Sequence, residues 1–450
     1  MEKRENYPEH IESKIQMTEP NEEIQICKGI LVLKNKNGEI KIKGDIIYKW
    51  FPKIGAEFHG LLTSELKTLF NPFELNDYDL YFKDLKLGKV FITEKRYFST
   101  NPNETIVTGV FKENLFLGDK TINVNQVYFS IPNFKSLFGN LTTFNNGNGG
   151  TRSRLSLEND KYNIEIDKSL DYDNKLRQLK NKGGFTILYG GLIKSKKGTL
   201  SITEKKSIFS CLDLFLTFLM GRRSSTIFHS GYCEKEKIWI DYSNKNNLTY
   251  KNAESWTLRN SINGIDGLFK EFSTLWKNEN DRDFLKTLIH WYVEANNNSG
   301  FVEGSIIMAQ TALELIYNWL LIEKGKLIKG SDAINISASN KIRLLLSHVK
   351  IKNEIPNSLT ELNKLINSKK EDLDAPEVIV QIRNAIIHSQ LEKRKKLLEI
   401  TFEAKSQALK LYIWYIELSI LYILNYKGKY TNRCSDEQFP GDRETDVPWI

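Results

Sequence analysis

Cysteine, proline and arginine are scarce in this 450-residue chain, with 4, 10 and 14 copies, and long apolar runs are scarcer still. The four cysteines, Cys27, Cys211, Cys233 and Cys434, form no C-x-x-C pair, which argues against a disulfide scaffold or a zinc ribbon. Cys211, His229 and Cys233 are the one group with metal-ligating types. In a strand the four-residue spacing of His229 and Cys233 holds the two side chains apart, so no metal and no cofactor is expected. The first twenty residues are charged and contain Pro8 and Pro20 without an apolar core. No secretory signal is visible, and a cytoplasmic location is the expectation. Ile208–Met220 and Leu411–Leu424 are apolar but shorter than the roughly 18 to 20 residues that span a bilayer, and Asp213 and Glu417 interrupt them. Core or dimer-interface helices, and no membrane partner, follow.

Several catalytic motifs are also absent: G-x-x-x-x-G-K-[ST], G-x-G-x-x-G, H-E-x-x-H, an EF-hand loop and G-x-S-x-G. The pairs Gly183-Gly184 and Gly190-Gly191 flank FTILY without a following lysine and hydroxyl, and read as turn residues. What is present describes a folding chain, 40% hydrophobic and 27% charged. Its length suits two domains. The net charge of +8 favours a polyanionic partner only if the excess is gathered on one face, and much of the lysine can simply solvate the surface.

The fold class expected is α+β: an N-terminal antiparallel β-rich domain, sandwich or barrel, followed by an all-α bundle. From Ile24 to Ile202 short alternating segments are punctuated by Gly, Asn and Pro. Ile30–Leu33 and Ile40–Ile42 flank Asn37-Gly38 and predict a hairpin. Further strands are expected at Leu80–Phe82, Val90–Ile92, Thr105–Phe111, Val127–Ile131, Tyr162–Ile166 and Phe185–Leu188, with Thr226–Tyr232 and Lys237–Tyr242 closing the domain. The segment Phe144–Arg154, FNNGNGGTRSR, reads as a mobile loop or an internal linker. An apolar helix ends at Gly221, and from Asn260 the period is helical, with five or six helices up to Tyr426. The last, from about Lys396, carries apolar residues on extra flanks, as for a partner chain. The resulting division is residues 1–250, a β-rich sensor or regulatory domain; 260–430, helical; and 431–450, a loosely held polar tail.

The remaining chemical signal is Gln381-Ile382-Arg383-Asn384-Ala385-Ile386-Ile387-His388, an arginine followed five positions later by a histidine, with a polar residue directly after the arginine. Asp374 can cap the start of its helix and Pro376 suits the first turn. Ile379, Ile382 and Ile386 form the buried stripe, while Asn384 and His388 share a polar face that Arg383 can reach across. Arg343 and His348 repeat the spacing around a leucine triplet and read as a core helix with a solvated arginine and a C-terminal histidine. Lys393, Arg394, Lys395 and Lys396 follow His388 and form either an RNA-binding run or a charged turn. Glu371 and Asp372 join Asp374 as helix-start carboxylates rather than a metal site.

On these residues the helical part, about 280 to 426, resembles a HEPN domain, whose ribonucleases carry R-[polar]-x-x-x-H on a late helix; here that is Arg383, Asn384 and His388. Gln310-Thr311-Ala312-Leu313-Glu314 is similar to the A-L-E stretch of an earlier helix, with Glu314 facing the motif. A β-rich domain ahead of it resembles the ApeA-like anti-phage proteins. The resemblance implies metal-independent cleavage of RNA, transfer RNA among the candidates, at a site shared by two copies of the domain in a homodimer or higher assembly. It also implies abortive-infection defence, with a phage-derived activator as a further partner. The chemistry is compatible. Imidazole, titrating near pH 6.5 (about) in ordinary surroundings, can move either proton, and a guanidinium grips two phosphate oxygens. The alternative is a non-catalytic HEPN-like module that binds a nucleotide or a protein.

Overall fold

The computed structural model describes residues 7–36, 38–62, 77–98, 101–144, 149–243, 245, 247–258, 261–297, 301–367, 373–388, 390, 395, 397–439 and 441–450. Its first six strands, β1 (Ile24–Asn35), β2 (Gly38–Lys49), β3 (Gly55–Leu62), β4 (Tyr78–Phe82), β5 (Leu85–Phe98) and β6 (Asn101–Phe111), close into an antiparallel barrel in the order 1-2-3-6-5-4. Of the expected sandwich or barrel, these six strands take the barrel form, which removes their sheet edges. The β1–β2 hairpin pairs Asn35 with Gly38. Gly38 has φ +138°; Asn37 lies outside the described residues.

Eight further strands form a second antiparallel sheet. They are β7 (Phe116–Gly118), β8 (Gln126–Pro132), β9 (Asn140–Phe144), β10 (Gly149–Glu158), β11 (Tyr162–Lys168), β12 (Ile187–Ser195), β13 (Ile227–Cys233) and β14 (Glu236–Asp241), in the order 7-14-13-8-12-11-10-9. Two expectations fail here. Residues 149–154 are not a loop: they pair with β9, and Arg154 is buried, its guanidinium clasping Asp167 at 2.7 and 2.9 Å and Glu165 at 3.1 Å. Buried pairing of the arginine, invisible in composition, overrides the polar glycine-rich text; residues 145–148 lie outside the described set. Nor are Gly190 and Gly191 turn residues. They sit inside β12, where a Cβ would meet the Ser13 backbone nitrogen at 2.4 Å and the Phe129 ring at 2.2 Å, so close approach rather than a turn requires them. Gly183 and Gly184 do turn the chain, with φ +69° and +87°.

Two helices lie within this half. The first, α1 (Tyr172–Lys182), was not anticipated. The second, α2 (Ile202–Met220), starts at a capping box formed by Ser201 and Glu204 and stops at Gly221 in the left-handed region, φ 68°. One hydrophobic core fills the barrel around Leu31, Ile42, Phe58 and Leu80. A second runs from Phe129 and Ile164 of the sheet through Phe215 of α2 to Phe272, Leu288 and Leu313 of the helices that follow.

Those helices are α3 (Ile265–Lys277), α4 (Glu279–Asn297), α5 (Val302–Tyr317) with a π-helical extension to Lys324, α6 (Ser331–Asn335), α7 (Ala338–His348), α8 (Thr360–Asn367), α9 (Ala375–Ile387) and α10 (Phe402–Ile423). Where five or six helices were expected, the described residues hold at least these eight α-segments. One helical stretch, Val302–Lys324, is long and apolar enough to cross a bilayer, and 56% of its apolar window is buried inside the protein.

The end of the chain corrects two further expectations. α10 is buried almost all round, including Tyr412, Tyr415, Glu417 and Ser419, so its surplus of apolar flanks is consumed within the chain rather than left for a partner. Part of that cover is the supposedly loose tail. β15 (Lys429–Thr431) pairs with β16 (Glu444–Asp446), and Tyr430, Cys434 and Val447 are buried. Arg433 is buried too, donating to both Glu417 oxygens at 2.6 and 2.8 Å and to the Glu254 carbonyl at 2.7 Å. Tyr292 donates to Glu417 at 2.6 Å. A carboxylate inside an apolar helix needs such partners, which the tail supplies.

Candidate functional site

The motif helix is built as its sequence demands. The Asp374 side chain accepts from the Glu377 amide at 3.0 Å, Pro376 lies in the first turn, and Ile379, Ile382 and Val378 are buried. Asp374 has a second task. Arg343 of α7 donates to both its oxygens, at 2.6 and 2.8 Å, so Arg343 is an ion-pair partner and not the solvated arginine expected. Burial pushes the Asp374 carboxyl up, but the Arg343 bond and the Glu377 amide more than offset it, and the group titrates below its ordinary range. The second Arg-His match is thereby accounted for as a brace on α9. His348 packs edge-on against Tyr422, with ring centroids 5.8 Å apart.

Arg383 is half-buried and Nη1 donates to Asn384 Oδ1 at 3.1 Å, while its Nε is enclosed without a hydrogen-bond partner. Asn384 is half-buried, and its carbonyl accepts from the His388 amide at 3.2 Å. The helix ends at Ile387; His388 is the residue that closes it, with extended backbone and an exposed side chain. The arginine thus sits inward and the histidine outward at the same helix end.

Arg383 is an electrostatic neighbour of a polar chain that links α5 to α10. α5 and α10 run parallel in register: Lys405 pairs with Glu303 at 2.9 Å, and one helical stretch further on Tyr412 donates to Gln310 Oε1 at 2.8 Å. Gln310 in turn donates to Glu314 at 2.9 Å. Burial raises the Tyr412 hydroxyl well above its usual pKa, with the Arg383 charge opposing and the Glu314 charge adding to it. Arg383 and Glu314 are therefore both electrostatic neighbours of Tyr412. Glu314 is linked to the arginine's surroundings through Gln310 and Tyr412. Tyr412 was missed. The available signal was a tyrosine at a core position of an apolar helix, which requires a partner for its hydroxyl.

Of the four cations after the motif, Lys395 is exposed. Lys393, Arg394 and Lys396 lie outside the described residues, as do Glu371 and Asp372. Among the described residues no group of three His, Cys, Asp or Glu side chains is arranged to hold a metal. His229 stacks on Phe209 at 3.8 Å between centroids, and burial drives its protonation well below the ordinary range.

With this geometry in place, two family models match the chain. Residues 119–253 are similar to the YopA central domain and residues 278–444 to the YopA C-terminal domain. Over 439 residues the chain is 26% identical to the SPbeta prophage-derived uncharacterized protein YopA of Bacillus subtilis (strain 168), covering 95% of each chain. No solved structure matches it.

Proposed function

We propose that this chain is a metal-independent endoribonuclease of the HEPN type, similar to ApeA-like proteins, whose site is Arg383, Asn384 and His388 supported by Glu314. The observation that carries the reading is the division of labour at the end of α9. A half-buried guanidinium is fixed by Asn384 and backed by the Tyr412, Gln310 and Glu314 chain, and the imidazole stands exposed where a nucleic acid can reach it.

In the reaction an RNA 2′-hydroxyl attacks the adjacent phosphorus. Its proton passes to a base, the bond from phosphorus to the 5′-oxygen breaks, and an acid protonates that oxygen, leaving a 2′,3′-cyclic phosphate and a 5′-hydroxyl. Arg383 holds the non-bridging oxygens as charge builds on them. One imidazole performs one of the two proton transfers at a time, so a second copy of the site supplies the other. α10 is not the dimer surface, being covered. Exposed Ile387, beside His388, is the apolar side chain at the motif that we assign to pairing. Lys395 and its neighbours in the run serve the RNA backbone. Likeness to a prophage-derived protein supports a role in conflict between phages and their host cell, with a phage-derived activator and the β-rich half as the receiving part.

The test is His388→Ala. RNA cleavage and growth arrest on expression should both disappear, with folding and oligomer mass unchanged. Cleavage that persists assigns the chemistry elsewhere.

A further inference from the structure

A cleft of about 330 Å³ opens between the turn after α2, the segment 251–254, the end of α4, the first half of α10 and Arg433 of the C-terminal tail. Four cations line it, Arg222, Lys251, Lys410 and Arg433, against one carboxylate, Glu254. That carboxylate is already engaged, by Arg433 at 3.4 Å and by Arg443 at 3.5 Å from outside the cleft. Arg433 is in turn committed to Glu417.

The other three cations meet no carboxylate among the described residues. Arg222 is 6% exposed and donates only to the carbonyls of Thr249 at 2.7 Å and Lys251 at 3.0 Å, leaving its Nε enclosed and unpaired. Lys251 donates to the carbonyl of Asn297 at 2.9 Å. Lys410 projects from α10 toward the same cleft. A mostly buried guanidinium without a counter-ion is costly, and burial indeed pulls Arg222 below its ordinary pKa. Such groups are retained where an anion completes them.

We propose that this cleft binds a small phosphate-bearing molecule, up to the size of a mononucleotide. The volume lies at the lower end of the range for small-molecule pockets, about 300 to 1,000 Å³. Phosphate is favoured over a carboxylate because the three cations arrive from three separate segments. A phosphate monoester presents three acceptor oxygens and between one and two negative charges to meet them. The ligand would join the loop that leaves the central sheet to α4 and α10. The site uses none of the residues assigned to RNA cleavage, so it stands or falls apart from that reading.

The experiment is calorimetric titration of the full-length protein with inorganic phosphate and, separately, with AMP, at ionic strength matched by sodium chloride. Saturable binding of at least one is expected, weakened about tenfold or more in the Lys251→Ala/Lys410→Ala double variant and unchanged in Lys286→Ala on the outer face of α4. AMP binding tighter than phosphate identifies a nucleotide ligand, and equal affinities identify free phosphate. Because Arg222 also holds two backbone carbonyls, the lysine variants carry the test. No saturable binding of either probe, affinity unchanged in the double variant, or lysine-dependent binding of RNA alone overturns the proposal.

Discussion

Replacing Arg433 by alanine removes the only cation hydrogen-bonded to Glu417 among the described residues, and Glu417 is fully buried. The carboxylate keeps the Tyr292 hydroxyl but loses two charge-assisted bonds, and the Glu254 carbonyl loses a third. An uncompensated buried charge of this kind costs about 3 to 5 kcal/mol. Urea unfolding followed by tryptophan fluorescence reads the effect, because Trp414, Trp256 and Trp449 all contact this end of the molecule through Tyr430, Tyr426 and Tyr422. Pairing Arg433→Met with Glu417→Gln should recover most of the loss, since it removes the charge together with its partner. A loss below about 1 kcal/mol for Arg433→Ala, the size of a surface ion pair, would refute the reasoning and return the tail to the status of a loose appendage.

Four further outcomes follow from the same structure. Lys135 has its ammonium enclosed beside Ser255 and Thr257, and burial pulls it down to about 7. Between pH 7 and its ordinary titration range the unfolded chain binds the extra proton and the folded chain does not, so stability rises with pH there. Lys135→Met should flatten that rise, by at most about 4 kcal/mol, in unfolding midpoints measured from pH 7 to 10. Asp374→Ala removes both the cap of α9 and the anchor of Arg343, and should cost about 2 kcal/mol while lowering RNA cleavage. Gly191→Ala drives a methyl group into the Phe129 ring and should cost about 1 to 3 kcal/mol or more by urea unfolding, with no change in cleavage per folded molecule. Tyr412→Phe should leave the fold in place and lower the rate of RNA cleavage without weakening RNA binding.

Much of the architecture was legible because the patterns that specify it are local. The β1–β2 hairpin that closes at Gly38, the Asp374 cap and the Gly221 stop each depend on residues within a few positions of one another, and each stands where the text put it or beside it. What escaped reading was set by partners far along the chain. Residues 149–154 look like a loop until Asp167 and Glu165 are brought alongside Arg154. Glu417 looks like an interruption of an apolar helix until Arg433 arrives from 16 residues away and turns the polar tail into cover for α10. In the candidate site the motif residues were visible as a spacing, whereas the Tyr412 and Gln310 link to Glu314 depends on the parallel register of α5 and α10, which no single helix displays.

The most direct measurement is incubation of the purified protein with total RNA in EDTA, followed by mapping of the new RNA ends. Fragments ending in 2′,3′-cyclic phosphate are expected, made by the native protein and absent with His388→Ala or Arg383→Gln. Intact RNA under all conditions, or the same fragments from both variants, would contradict the nuclease reading.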